Sequence, residues 1–145
     1  MELDIRKEAI KLFNETWDLF DKPERTEEED ITMLHKVHTS RYLWGLVGEP
    51  VNFARGEWQV SRAYALLKMG APAWLHAQSS LKFAEENNLG ALDLAFGHES
   101  CARALAILGE KESAANHIQK ALSAAEKLEK GDRDYAEREI KNITL

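Results

Sequence analysis

With 145 residues, 44% hydrophobic and 30% charged, the chain is large and apolar enough to bury one core without disulfide or metal staples. A formal charge of −6 argues against a general nucleic-acid binder, which would carry a basic stripe, and against an anionic membrane surface. A lone cysteine, Cys101, excludes an intrachain disulfide; with the acidic start Met1-Glu2-Leu3-Asp4 in place of a signal peptide and no apolar run near the ~18 residues of a membrane span, the expected location is cytoplasmic.

Apolar residues recur at helical spacing almost throughout, and the scarce Gly and Pro punctuate them. Ile5, Ala9, Leu12, Phe13, Thr16, Trp17 and Phe20 form one face of a first helix from about Leu3 to Phe20, stopped by Pro23. Thr26 followed by Glu29 is a capping box, in which each side chain satisfies a backbone N–H of the other residue. It opens a second helix that runs to Leu46 and ends at Gly48 and Pro50. A third helix spans about Val51 to Met69, with Gly56 allowing a close helix approach and Gly70 closing it. Pro72 suits the first turn of a fourth helix, which reaches the turn Asn88-Leu89-Gly90. The fifth runs from about Leu92 to Leu108 before Gly109, and the sixth from about Glu112 to Glu129 before Gly131. Asp132 is placed to cap a short seventh helix containing Tyr135, Ile140 and Ile143. These signals predict an all-α chain of seven helices forming a single domain over 1–145, whose short loops make consecutive helices antiparallel.

Shifting the chain by 41 residues superposes Arg62-Ala63 on Arg103-Ala104, Ala65 on Ala106, Ala73 on Ala114 and His76 on His117. Gln78 then falls on Gln119, Leu81 on Leu122, and Ala84-Glu85 on Ala125-Glu126. Small residues dominate the matches, as they must where helices cross closely. Leu108-Gly109-Glu110 followed by Ala114, Ile118 and Ala121 resembles the tetratricopeptide repeat, in which Leu-Gly-Asp ends the first helix and small residues pack the second against it. The upstream copy has Lys68 at the glycine position, and the spacing exceeds the family's usual period of about 34 residues. The likeness covers roughly residues 51 to 129. It implies hairpins over 51–88 and 91–129, a leading hairpin over 1–48 and a capping helix over 132–143. His38 to Trp44 and Asn52 to Trp58 resemble uncharacterised bacterial proteins of this type.

Arg55, Trp58 and Arg62 lie at i, i+3 and i+7, on one face of the third helix. The register of the resemblance puts them on a concave groove, with Phe96, Glu99 and Arg103 beside them on the fifth helix. Guanidiniums flanking an indole suit a carboxylate or an acidic peptide, because Arg offers a planar fork and Trp a stacking surface. The opposing expectation is internal packing, with Arg55 and Arg62 paired to Glu57, Glu99 or the acidic second helix. His35 and His38 share a helix face near Arg41, but a metal needs a third or fourth ligand. No His-Glu-x-x-His, Glu-x-x-His, nucleophile elbow or Gly-rich phosphate loop occurs, so no cofactor is expected. Cys101 is expected on an inward face, with His98 one turn before it.

Three functions remain in order of preference. The first is a non-enzymatic module that holds a peptide or partner protein in the groove through Arg55, Trp58, Arg62, Phe96, Glu99 and Arg103, with His38 and Arg41 nearby. The second is a self-assembling homo-oligomer, to which Trp44 and Trp74 are expected to contribute exposed surface. The third is a small-molecule or metal-dependent enzyme using His35, His38 and Arg41 together with Arg55 and Arg62.

Overall fold

A computed structural model describes residues 4–145. It contains α1 (Ile5–Phe20), α2 (Glu27–Val47), α3 (Pro50–Leu66), α4 (Gly70–Glu86), α5 (Ala91–Ile107), α6 (Lys111–Ala125) and α7 (Lys130–Lys141), and no strand among the described residues. Leu3, where the periodicity starts the first helix, lies outside them. No helix is long and apolar enough to cross a membrane.

The helix starts follow local chemistry. Asp4 accepts from the Lys7 N–H at α1, and Thr26 and Glu29 complete the capping box of α2 with bonds of 3.1 and 3.0 Å. Pro50 ends nothing; it occupies the first position of α3, where its missing N–H costs no helical bond.

Three helix ends share one device. The chain turns left-handed at Lys68 (φ 59°), Asn88 (φ 51°) and Gly109 (φ 80°). The residues that follow, Met69, Leu89 and Glu110, donate back to Tyr64, Ala84 and Leu105 across 2.9 to 3.1 Å. These are Schellman motifs, which satisfy carbonyls the helix end leaves unpaired. Lys68, not Gly70, therefore terminates α3, and Gly70 begins α4. The sixth helix is also shorter than its spacing predicts, ending at Ala125. Gly131 and Asp132 consequently fall inside the first turn of α7, whose N-cap is Glu129 rather than Asp132.

Consecutive helices pack as neighbours. Across the chain the backbones of α1 and α3, of α3 and α5, and of α5 and α7 approach closely, whereas α2, α4 and α6 meet one another only through side chains such as His38 on His76 and Trp74 on His117. The odd helices therefore make a close inner layer and the even helices a splayed outer one. Alanines set the close approach: Ala54, Ala95 and Ala136, one each on α3, α5 and α7, are all at most 2% exposed and recur every 41 residues. Gly97 of α5 sits where a side chain would meet the Leu81 backbone of α4, and Gly56 of α3 sits beneath Arg41 of α2. One apolar cluster joins Met33, Val37, Val60 and Ala63; another closes the far end with Ala121, Ala125, Ala136 and Ile140.

Candidate functional site

The 41-residue offset places Trp58 on α3 level with Glu99 on α5, and the two side chains meet. Glu99 is fully buried and accepts from the Trp58 indole N–H at 2.8 Å, from Arg62 Nη2 at 2.9 Å, and from Arg103 Nε and Nη2 at 2.9 and 2.6 Å. Burial alone would push its carboxyl pKa up; Arg62, Arg103 and the indole outweigh that and hold it below the usual carboxylate value. Arg62 also lies over the Trp58 ring, 5.0 Å from its centroid, and Arg103 reaches the Glu139 carbonyl at 3.0 Å. Two guanidiniums thus share one buried carboxylate, with the Glu139 carboxylate beside Tyr135 at the edge of the cluster.

An aromatic row crosses the inner layer beside that cluster. Trp17 of α1 lies 5.5 Å from Trp58, Trp58 meets Phe96 of α5 edge-on at 5.8 Å, and Phe96 meets Tyr135 of α7 at 5.8 Å. With Phe13 and Leu92 these rings line a cleft of about 180 Å³. At its rim Arg55 grips Asp93 through two bonds, 3.0 and 3.3 Å; the Arg55 side chain is half exposed and Asp93 is buried. A second, larger cleft of about 330 Å³ runs on from the cluster between Arg62, Lys68 and Arg103 and the chain near Ile143.

Arg55, Trp58, Arg62, Phe96, Glu99 and Arg103 are therefore brought to one inner surface, but with divided roles. The guanidinium–carboxylate pairing expected for a ligand is made within the chain, at Glu99 and Asp93. Phe96, Trp58 and the exposed part of Arg55 are what the cleft presents.

His38 and Arg41 belong elsewhere. They sit between α2, α3 and α4, where Arg41 Nε donates to Glu57 Oε1 at 3.2 Å and lies over the Phe53 ring at 4.9 Å. The other Glu57 oxygen meets His76 Nδ1 at 2.6 Å, and His38 Nε2 bonds the Tyr64 hydroxyl at 2.8 Å. Desolvation would raise the Glu57 pKa, but His76 and Arg41 leave it lowered. Desolvation and the neighbouring His76 push His38 below its usual range, favouring neutral imidazole. Arg55 and Arg62 contact α5 instead, so the histidines of α2 and the arginines of α3 do not form one site. Among the described residues no three His, Cys, Asp or Glu side chains are grouped to hold a metal.

Trp44 does not supply the exposed surface expected of it: it is 7% exposed, covered by Arg6, whose guanidinium lies 5.3 Å from its ring centroid. Trp74 is half-buried against His117.

Phe13, Trp17 and Tyr135, expected only as helix-face residues, and Asp93 are not among the site residues the sequence pattern points to. For Trp17 a signal existed, since it precedes Trp58 by the same 41 residues. Comparison with protein-family models, with curated proteins and with solved structures finds no match.

Proposed function

We propose that this chain is a non-enzymatic, tetratricopeptide-like interaction module of the cytoplasm that holds an extended segment of a partner protein on its inner layer. The observation that carries the reading is an aromatic cleft adjoining two arginines that share one buried carboxylate. A cleft of about 180 Å³ matches one large apolar side chain in size. Arg62, Lys68 and Arg103 lining the adjoining cleft favour an acidic residue next to that anchor. Apolar anchors fill pockets and supply most of the affinity, while neighbouring charges fix direction and register. The tetratricopeptide likeness is supported by alternating inner and outer helices and by Lys68 and Gly109 turning left-handed one repeat apart.

The test is selection of peptides from a displayed random library on immobilised protein. Enriched peptides are expected to carry an aromatic or large aliphatic residue next to Asp or Glu. Leu92→Ala and Tyr135→Ala alter the cleft wall without removing a partner of Glu99 or Asp93, and each is expected to weaken the selected peptides at least tenfold while leaving the circular dichroism unchanged. Peptides retained equally by both variants, or no enrichment at all, would overturn the reading.

Self-association is the second reading, favoured by the outer layer. Tyr42 and Leu46 lie one turn apart on α2 at 68% and 56% exposure, with Leu75 of α4 at 63%. Light scattering over a concentration series decides it: a constant monomer mass removes it.

A further inference from the structure

The 41-residue offset that superposes His76 on His117 also superposes Glu57 on His98. Both pairs span a hairpin. Glu57 and His76 join α3 to α4 through a contact of 2.6 Å, and His98 and His117 join α5 to α6 with Nδ1 facing Nδ1 at 2.9 Å. The first pair is an acid with a base. The second is a base with a base. Its hydrogen bond needs one ring to donate and the other to accept, so it exists only while at least one imidazole is neutral.

The surroundings offer little to neutralise a second charge. On α6 the nearby charged group is Lys120, and Lys127, just past the end of that helix, lines the same cleft as His98. On α5, Cys101 is buried with its thiol pKa pushed up to about 12 by desolvation, so it stays neutral. From α4 the groups are Trp74, edge-on to His117 at 6.2 Å, and Glu85, whose charge favours His117 protonation from beyond hydrogen-bonding distance. No carboxylate among the described residues bonds either ring.

We infer that the α5/α6 hairpin is an acid-sensitive joint, opened by protonation of the His98–His117 pair, while the equivalent α3/α4 joint is held by Glu57–His76. Two imidazoliums at 2.9 Å with Lys120 beside them repel, and separating the rings relieves this.

The direction with pH follows from linkage. Burial, then His117 and Lys120, push His98 from 6.5 down to about 4, and burial followed by Lys120 lowers His117. Groups protonated less readily in the folded chain contribute stability that is whole above the unfolded value and lost as pH falls below it. The window is therefore pH 6.5 down to about 4.

The experiment is thermal unfolding of the full chain at pH 7.5 and 5.5, where carboxylates remain largely ionised, joined to amide exchange corrected for intrinsic rate. The wild-type Tm is expected to fall by roughly 4 °C, with exchange accelerating more in α5 and α6 than in α3 and α4, where His38 beside His76 is the other lowered imidazole. His98→Glu rebuilds the acid–base pair and is expected to hold or raise its Tm over the same step. His117→Gln leaves one imidazole, still desolvated, and its Tm is expected to fall less than the wild type's; it decides the matter if His98→Glu does not fold. A wild-type Tm unchanged between the two pH values overturns the inference. So does a fall of the same size in the folded variants, or faster exchange spread evenly over all helices.

Discussion

Glu99 ties the inner layer together because three donors from two helices converge on a carboxylate with no access to water. Removing its charge leaves Arg62 and Arg103 facing each other without an anion. Both are mostly buried, so Glu99→Gln is expected to cost about 3 kcal/mol, measured by urea unfolding followed through tryptophan fluorescence. A cost under about 1 kcal/mol would mean that water replaces the carboxylate. Acid probes the same group: its folded pKa lies below 4.5, so its stability is present above 4.5 and lost as pH falls through the folded value. The Gln variant should lack that part of the acid transition. Cys101 gives an independent reading of rigidity. At 1% exposure and with its thiol pushed to about 12, it should react with a thiol reagent only at the rate of unfolding. Fast labelling of native protein at pH 8 would show that the helices around Cys101 open locally.

At the scale of a helix, spacing revealed existence better than boundaries. Seven helices were legible because apolar periodicity is a property of many residues and survives a few exceptions. The ends rest on one residue each. A lysine in the left-handed region carries no sequence mark, and so Lys68 hid the end of α3 while Gly70, the conspicuous residue, began the next helix. The repeat offset tests this, since Lys68 and Gly109 hold the same turn. A non-glycine residue there costs about 1 kcal/mol, so Lys68→Gly should stabilise by about that amount and Gly109→Ala destabilise comparably. Both are read as shifts in the urea midpoint at unchanged slope. The glycines inside helices separate in a different way. A Cβ at Gly97 would lie 3.1 Å from the Leu81 Cα, whereas at Gly56 the closest atom is Arg41 Cδ, on a longer and more flexible side chain. Gly97→Ala is expected to cost about 2 kcal/mol through helix displacement. Gly56→Ala should cost less than half as much, because helix propensity offsets part of the clash. Equal costs would mean that Arg41, pinned by Glu57, cannot move aside.

Across the whole molecule, half of the candidate site was visible in one dimension. Arg55, Trp58 and Arg62 share a face because 3.6 residues make a turn, and the repeat brought Phe96, Glu99 and Arg103 opposite them. The internal ion pairs were less visible, because charge balance depends on depth and spacing alone does not report it. Phe13, Trp17 and Tyr135 escaped because they come from α1 and α7, which complete the cleft from outside the two clearest repeats. The position of α7 makes it more than an end cap. It covers Ala121, Ala125 and the half-buried Phe96, Ile118 and Leu122 with Ala136 and Ile140, and it supplies Tyr135 to the cleft wall. In a stack of hairpins each element is stabilised mainly by its neighbours, so loss of an end propagates inwards only as far as the coupling reaches. Ending the chain after Glu129 would expose that apolar cluster and remove the Arg103 contact to the Glu139 carbonyl. The truncated protein is therefore expected to lose more helical circular dichroism than the 12 residues of α7 account for, with α6 fraying and the Tm falling. A loss matching α7 alone, with the Tm unchanged, would make α7 a separable appendage and leave the cleft to α1, α3 and α5.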